Sequence, residues 1–222
     1  GQRVERAVAY GPLPLQSVDI TTPQTVAPAA PVVVFFHGGG WSSGRAADYG
    51  FVGAALAAAG LIVVVADYRL YPAVRFPDFV HDAAQAVALA AGRFADRRIV
   101  LAGHSAGAHI AALLALDPRY LAAAGVPRHR IAGTVGISGP YDFLPLTRQR
   151  YRRIFPEAHL ADSQPIRFVD GSAAPVLLIT GDRDRRVLPG NTLRLAAAIR
   201  ASGGHVATIF YPGVGHLGTV LA

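Results

Sequence analysis

Gly103, His104, Ser105, Ala106 and Gly107 form a G-x-S-x-G turn between the apolar run Arg98-Ile99-Val100-Leu101-Ala102 and an apolar-periodic stretch from Ala108 to Leu116. A serine on a sharp turn between a buried strand and a helix is held with its hydroxyl clear of the sheet, and the flanking glycines avoid a clash where the chain doubles back. The same turn places the N–H of Ala106 at a helix N-terminus, where partial positive charge stabilises an oxyanion. The pattern therefore points to Ser105 as an acyl-transfer nucleophile.

Such a serine needs a base and a group that orients the base. Among eight histidines, His216 stands in a glycine-flanked loop, Gly213-Val214-Gly215-His216-Leu217-Gly218, after the last apolar run. That loop can carry an imidazole across to the serine. His37, His81, His109, His129 and His159 are read as packed or exposed imidazoles, and His104, inside the turn, cannot reach round to its neighbour as a base. The acid is expected between serine and histidine in chain order. Gly181-Asp182-Arg183-Asp184 offers two carboxylates; Asp184 is chosen, because Asp182 follows the strand at once and suits turn hydrogen bonds. Gly38, Gly39 and Gly40 after His37 let successive N–H groups face a developing alkoxide, so Gly39 and Gly40 join Ala106 as the expected oxyanion donors. Trp41 either roofs the acyl or alcohol pocket or anchors the glycine loop, and His104 is placed with it as a substrate-binding residue.

Composition narrows the chemistry. The 222 residues are 52% hydrophobic and 16% charged, as in a globular protein, and one domain over residues 1–222 is expected. Without cysteine there is no disulfide framework, thiolate nucleophile or cysteine metal site, and no metal is expected. All 21 basic residues are arginine, which removes Schiff-base chemistry and the P-loop lysine. The net charge of +7 comes from scattered arginines, and the densest set, Arg148, Arg150, Arg152 and Arg153, matches no nucleic-acid motif, so no nucleic-acid partner is expected. Gly53 and Gly60 interrupt the longest apolar candidate and Asp67 closes it, so a soluble chain without a membrane partner is expected. The chain opens on Gly1, as after removal of a leader or tag, and its compartment stays open.

The elements that must position these residues read as an α/β sheet. Val4 to Tyr10 and Leu15 to Thr21 alternate around Gly11-Pro12 and predict an antiparallel hairpin. Apolar runs at 32–36, 61–65, 99–101, 131–137 and 176–179 predict parallel strands buried on both faces, with a last strand at 205–211. Helical spacing is expected at 46–59, 78–91, 105–116 and 189–201, giving a doubly wound sheet with helices on both faces. Asp67 to Pro72 and Arg75 to Pro77 read as a structural loop with a charged pair. Residues 141–172, rich in proline and aromatics, are expected to form a small cap or insertion, and the closing helix after the last strand is expected to be missing or truncated.

Taken together these residues resemble the α/β-hydrolase superfamily, in particular hormone-sensitive-lipase-like carboxylesterases and feruloyl-esterase-like and kynurenine-formamidase-like enzymes. His37-Gly38-Gly39-Gly40-Trp41 is similar to the H-G-G-x-W signature, Gly103 to Gly107 to the serine turn, Gly181-x-x-Asp184-x-x-Val187 to the acid loop, and Gly215-His216-x-Gly218 to the histidine loop. Leu188 departs from the pattern by separating Val187 from Pro189. The resemblance implies a carboxylesterase acting through an acyl-enzyme, without metal or organic cofactor, on a small-molecule ester with a short acyl or aromatic group. An arylformamidase with the same triad is the alternative, and a non-catalytic binding scaffold a further one; the oligomeric state, monomer or dimer, is left open.

Overall fold

Two runs of five apolar residues, Val32–Phe36 (β3) and Ile62–Ala66 (β4), are buried along their whole length in the computed structural model, which describes residues 1–222. Continuous burial is what a strand shows when helices cover both faces of its sheet. Around this pair the chain builds one eight-stranded sheet. Its other strands are β1 (Arg3–Ala9), β2 (Ser17–Thr22), β5 (Ile99–His104), β6 (Ile131–Ile137), β7 (Val176–Gly181) and β8 (Val206–Tyr211), in the order β1-β2-β4-β3-β5-β6-β7-β8. The pairs β1/β2 and β2/β4 are antiparallel and every later pair is parallel.

Burial on both faces does not extend across the sheet. β6 and β7 alternate buried with half-buried residues, and β8, at the edge, alternates half-buried with exposed. An edge strand has one neighbour and fewer helices over it, so its apolar residues partly face water.

The helices are α1 (Gly50–Ala58), α2 (Asp78–Arg93), α3 (Ala106–Leu116), α4 (Pro118–Ala123), α5 (Gln149–Ile154), α6 (Gly190–Ala201) and α7 (Gly218–Leu221). The expected helix at 46–59 is split, with Ala46–Tyr49 as a 3-10 turn leading into α1. α2 buries Phe79, Val80, Ala83, Ala86, Val87 and Ala90, the stripe that its 3.6-residue period dictates. α4 was not expected; it is started by Asp117, whose carboxylate accepts from Arg119 N, and by Pro118 at the first helical position. α7 is a single turn after β8.

The charged pair expected in the 67–77 loop is partnered differently. Arg69 pairs with Asp82 of α2 through two 2.8 Å bonds, while Asp67 accepts from Ala46 N at 2.6 Å. The partners differ because α2 presents the Asp82 carboxylate to Arg69, while the start of the 46–49 turn presents a backbone N–H to Asp67. Residues 141–172 carry α5 and short turns, and Leu146, Ile154 and Phe155 from this segment are buried in the same cluster as Trp41, Phe76 and Phe79.

Candidate active site

Ser105 sits between β5 and α3 with φ 55° and ψ −118°, a backbone conformation that a non-glycine residue adopts only under constraint. Its N–H is tied to Ile137 O at 2.8 Å, at the end of the neighbouring β6. Close approach enforces the glycines on either side. A Cβ on Gly103 would stand 2.3 Å from Gly107 O, and one on Gly107 would stand 2.0 Å from Phe36 O. α3 therefore packs against β3 and β5 at backbone contact, and the turn is held with the serine hydroxyl on the carboxyl-end rim of the sheet.

The other two loops end on this serine. His216 Nε2 lies 2.8 Å from Ser105 Oγ, and His216 Nδ1 lies 2.7 Å from Asp184 Oδ2. The side chains of His216 and Asp184 are 8% and 0% exposed. Asp184 spends its second oxygen on the N–H groups of Arg186 at 2.9 Å and Val187 at 3.0 Å. Burial works to raise the Asp184 carboxyl, but the His216 bond and these two N–H groups prevail, and it lies below the ordinary carboxylate range. Asp182 instead accepts from Gly213 N at 2.7 Å, and Arg183 N donates to Val214 O at 3.1 Å, so the acid loop and the histidine loop are stitched together.

The glycine loop after β3 is rigid. His37 Nδ1–H donates to Gly38 O at 2.6 Å, Tyr68 OH donates to His37 O at 2.7 Å, and the two rings stack at 4.4 Å. Gly39 and Gly40 have φ of 127° and 59°, and Gly39 O is held by the N–H and hydroxyl of Ser43 at 3.1 and 2.8 Å. Their own N–H groups donate to no backbone acceptor. The N–H of Ala106, at the first position of α3, likewise lies outside the helical ladder, as helix geometry requires. Unspent donors at a helix start and in a glycine loop are what an incoming oxyanion uses.

Two expected substrate-binding residues have other work. Trp41 is 5% exposed, its ring sits among Phe79, Phe143, Tyr151 and Phe155, and Nε1–H donates to His109 Nδ1 at 3.2 Å. Packed in that aromatic cage, it anchors the glycine loop into the core. His104 is 1% exposed and both of its nitrogens are occupied. Nε2 donates to His216 O at 3.0 Å, and Nδ1 accepts from Tyr49 OH at 2.8 Å. A carbonyl can only accept, which fixes the tautomer. Burial, first of all, holds the His104 imidazole down at about 4, and the same cause holds His37 and His109 at about 4.

Sequence reasoning did not find Tyr49 or Thr219. Thr219 of α7 donates to the same His216 carbonyl at 2.8 Å, with Ser138 Oγ at 2.9 Å behind it. Neither lies in a motif; each is brought in by a distant element. A cavity of about 370 Å³ lined by Leu114, Leu121, Val126 and Ile131 opens at the start of β6, the far end of the strands from Ser105.

A family model described as BD-FAE matches residues 18–199. The chain belongs to the BD-FAE family. This member has the α/β-hydrolase fold, an eight-stranded, mostly parallel sheet opened by an antiparallel hairpin. Isoprenylcysteine alpha-carbonyl methylesterase ICME of Arabidopsis thaliana is 31% identical over 97% of this BD-FAE chain and 57% of its own length. Kynurenine formamidase of Salmo salar is 30% identical over 63% of this chain and 47% of its own. The chain thus spans about half the length of these curated relatives. A solved truncated form of a carbohydrate esterase from gut microbiota superposes with a TM-score of 0.83 at 20% identity, over 99% of this chain and 90% of the other.

Proposed function

We propose that this BD-FAE chain is a serine carboxylesterase acting on small esters through an acyl-enzyme. One observation carries the reading: a buried carboxylate, an imidazole and a serine hydroxyl in unbroken hydrogen-bonded line, 2.7 and 2.8 Å apart. With Asp184 accepting from Nδ1–H, the free lone pair of His216 is at Nε2, facing the Ser105 hydroxyl. As Ser105 Oγ bonds to the ester carbon, its proton passes to Nε2. The imidazolium formed is stabilised by Asp184, which stays a carboxylate.

The carbonyl oxygen becomes an alkoxide in the same step. Gly39, Gly40 and Ala106 supply N–H groups to it, each such donor contributing on the order of 3 kcal/mol to lowering the barrier. Collapse breaks the bond to the alcohol oxygen, which leaves with the proton from Nε2. Water then repeats the sequence on the acyl-enzyme, and Ser105 recovers its proton.

Short-acyl or aromatic esters suit the surroundings. The exposed apolar side chains beside the triad are single leucines, Leu188 after the acid loop and Leu217 after His216, 64% and 56% exposed. Residues 141–172 turn Leu146, Ile154 and Phe155 into the core and expose one large apolar side chain, Leu144, which is little surface to hold a long lipid chain. We read this segment as an insertion in one domain spanning 1–222. Likeness to kynurenine formamidase favours a second reading, the same residues acting on an N-formyl arylamine. Comparing kcat/KM for phenyl acetate and N-formylkynurenine separates them: the esterase reading requires the ester to be the better substrate, and a preference for the formamide reverses it.

A further inference from the structure

The arginine cluster at 148–153 is absorbed by neither fold nor triad, and one member of it reaches the site. Arg150, exposed on α5, places a guanidinium nitrogen on Ser42 Oγ, and the same Nη2 stands 3.0 Å from where a Cβ on Gly40 would be. A cation from the 141–172 segment thus lies against the glycine loop that faces Ser105. Its one side-chain hydrogen-bond partner is a hydroxyl, and its guanidinium lies 5.8 Å from the Tyr151 ring, which leaves the charge without a carboxylate. No carboxylate forms an ion pair with Arg150: Asp142 pairs with Arg194, Asp184 with His216, and Glu157, seven residues on, pairs with no cation. Across the site, the acid loop adds exposed Arg183, Arg185 and Arg186 against Asp182, whose Oδ1 is taken by Gly213 N–H.

Resting on the esterase reading above, we propose that the preferred substrate is an ester that itself carries a carboxylate, and that Arg150 is the residue that selects it. A guanidinium offers two parallel N–H bonds to a carboxylate, and fastening one nitrogen to Ser42 holds the fork in place before substrate arrives. The arginines of the acid loop add attraction over longer range, which raises the rate of encounter and fades with salt. A neutral ester would meet the same triad and the same N–H donors without this grip.

The test compares each acid with its own methyl ester, following phenol release. Para-acetoxybenzoate against methyl para-acetoxybenzoate puts the charge on the leaving group, and monophenyl succinate against its methyl ester puts it on the acyl group. The acid-to-ester ratio of kcat/KM in the native protein, divided by that ratio in Arg150→Gln, cancels intrinsic reactivity. A single charged hydrogen-bonding partner corresponds to roughly a tenfold change in that quotient. We expect it in at least one arm, with Arg150→Lys intermediate and the preference shrinking at high ionic strength. A quotient near one in both arms overturns the inference while leaving the esterase reading intact. So does an equal loss for acid and methyl ester, which would make Arg150 a general stabiliser of the alkoxide. No turnover of any of the four by the native protein would instead sink the esterase reading, and this inference with it.

Discussion

The imidazole of His104 donates from Nε2 to the backbone carbonyl of His216 across 3.0 Å, while Thr219 donates to the same oxygen at 2.8 Å. The residue before the serine therefore fixes the backbone of the residue that faces it. Tyr49, bonded to His104 Nδ1 at 2.8 Å, holds the imidazole at its other end. His104→Ala should lower kcat on para-nitrophenyl acetate by about 10- to 100-fold, because a base displaced by as little as an ångström loses rate on that scale. KM should move little, and His104→Gln, which keeps an N–H donor, should recover part of the loss. Steady-state kinetics on both variants check this; a changed KM with unchanged kcat would place His104 in substrate binding instead.

Three neutral imidazoles, His37, His104 and His109, are held by burial at about 4 against an ordinary 6.5. The unfolded chain takes up protons between these values and the folded chain refuses them. Stability is then full above pH 6.5 and falls as pH drops toward 4, with a limiting slope of about 4 kcal/mol per pH unit for three protons. Urea midpoints measured from pH 7.5 to 4.5 should decline across that window. A flat profile would mean that these rings are solvated or charged in the fold.

Gly107→Ala would place a methyl 2.0 Å from Phe36 O and 2.5 Å from His37 O, both backbone atoms that cannot turn away. It should destabilise by more than about 3 kcal/mol or prevent folding. Gly92, exposed in α2 with nothing near its missing Cβ, is the opposite case. Gly92→Ala should stabilise by about 0.5–1 kcal/mol, since alanine is the better helix former. Thermal melts of the two variants give opposite signs if the backbone contacts are as described.

Much of this was legible in the chain because local rules and tertiary demands agree. The hairpin, the buried strands β3, β4 and β5 and the stripe of α2 all follow from periodicity. The glycines at 103 and 107 announce the serine turn because only backbone contact demands them. What escaped was set by partners far off in sequence. Trp41 is apolar and large, a description that fits a pocket roof or a core plug, and only the aromatic cage of Phe143, Tyr151 and Phe155 decides for the core. Arg69 shows the same limit, since the choice of Asp82 over Asp67 depends on where α2 lies.

The two aspartates of the acid loop should separate cleanly. Asp184→Asn removes the acceptor that orients His216 and should cost on the order of 10⁴ in kcat. Asp182→Asn keeps an oxygen for Gly213 N–H and should cost under about threefold, as a solvated turn contact does. Reversed effects would exchange their roles.

Covalent labelling of Ser105 tests the central claim most directly. A fluorophosphonate added to the native protein, followed by peptide mass mapping, should give one adduct per chain, on Ser105, lost in His216→Ala. Absence of an adduct, or an adduct on another residue with Ser105 left free, would contradict the account.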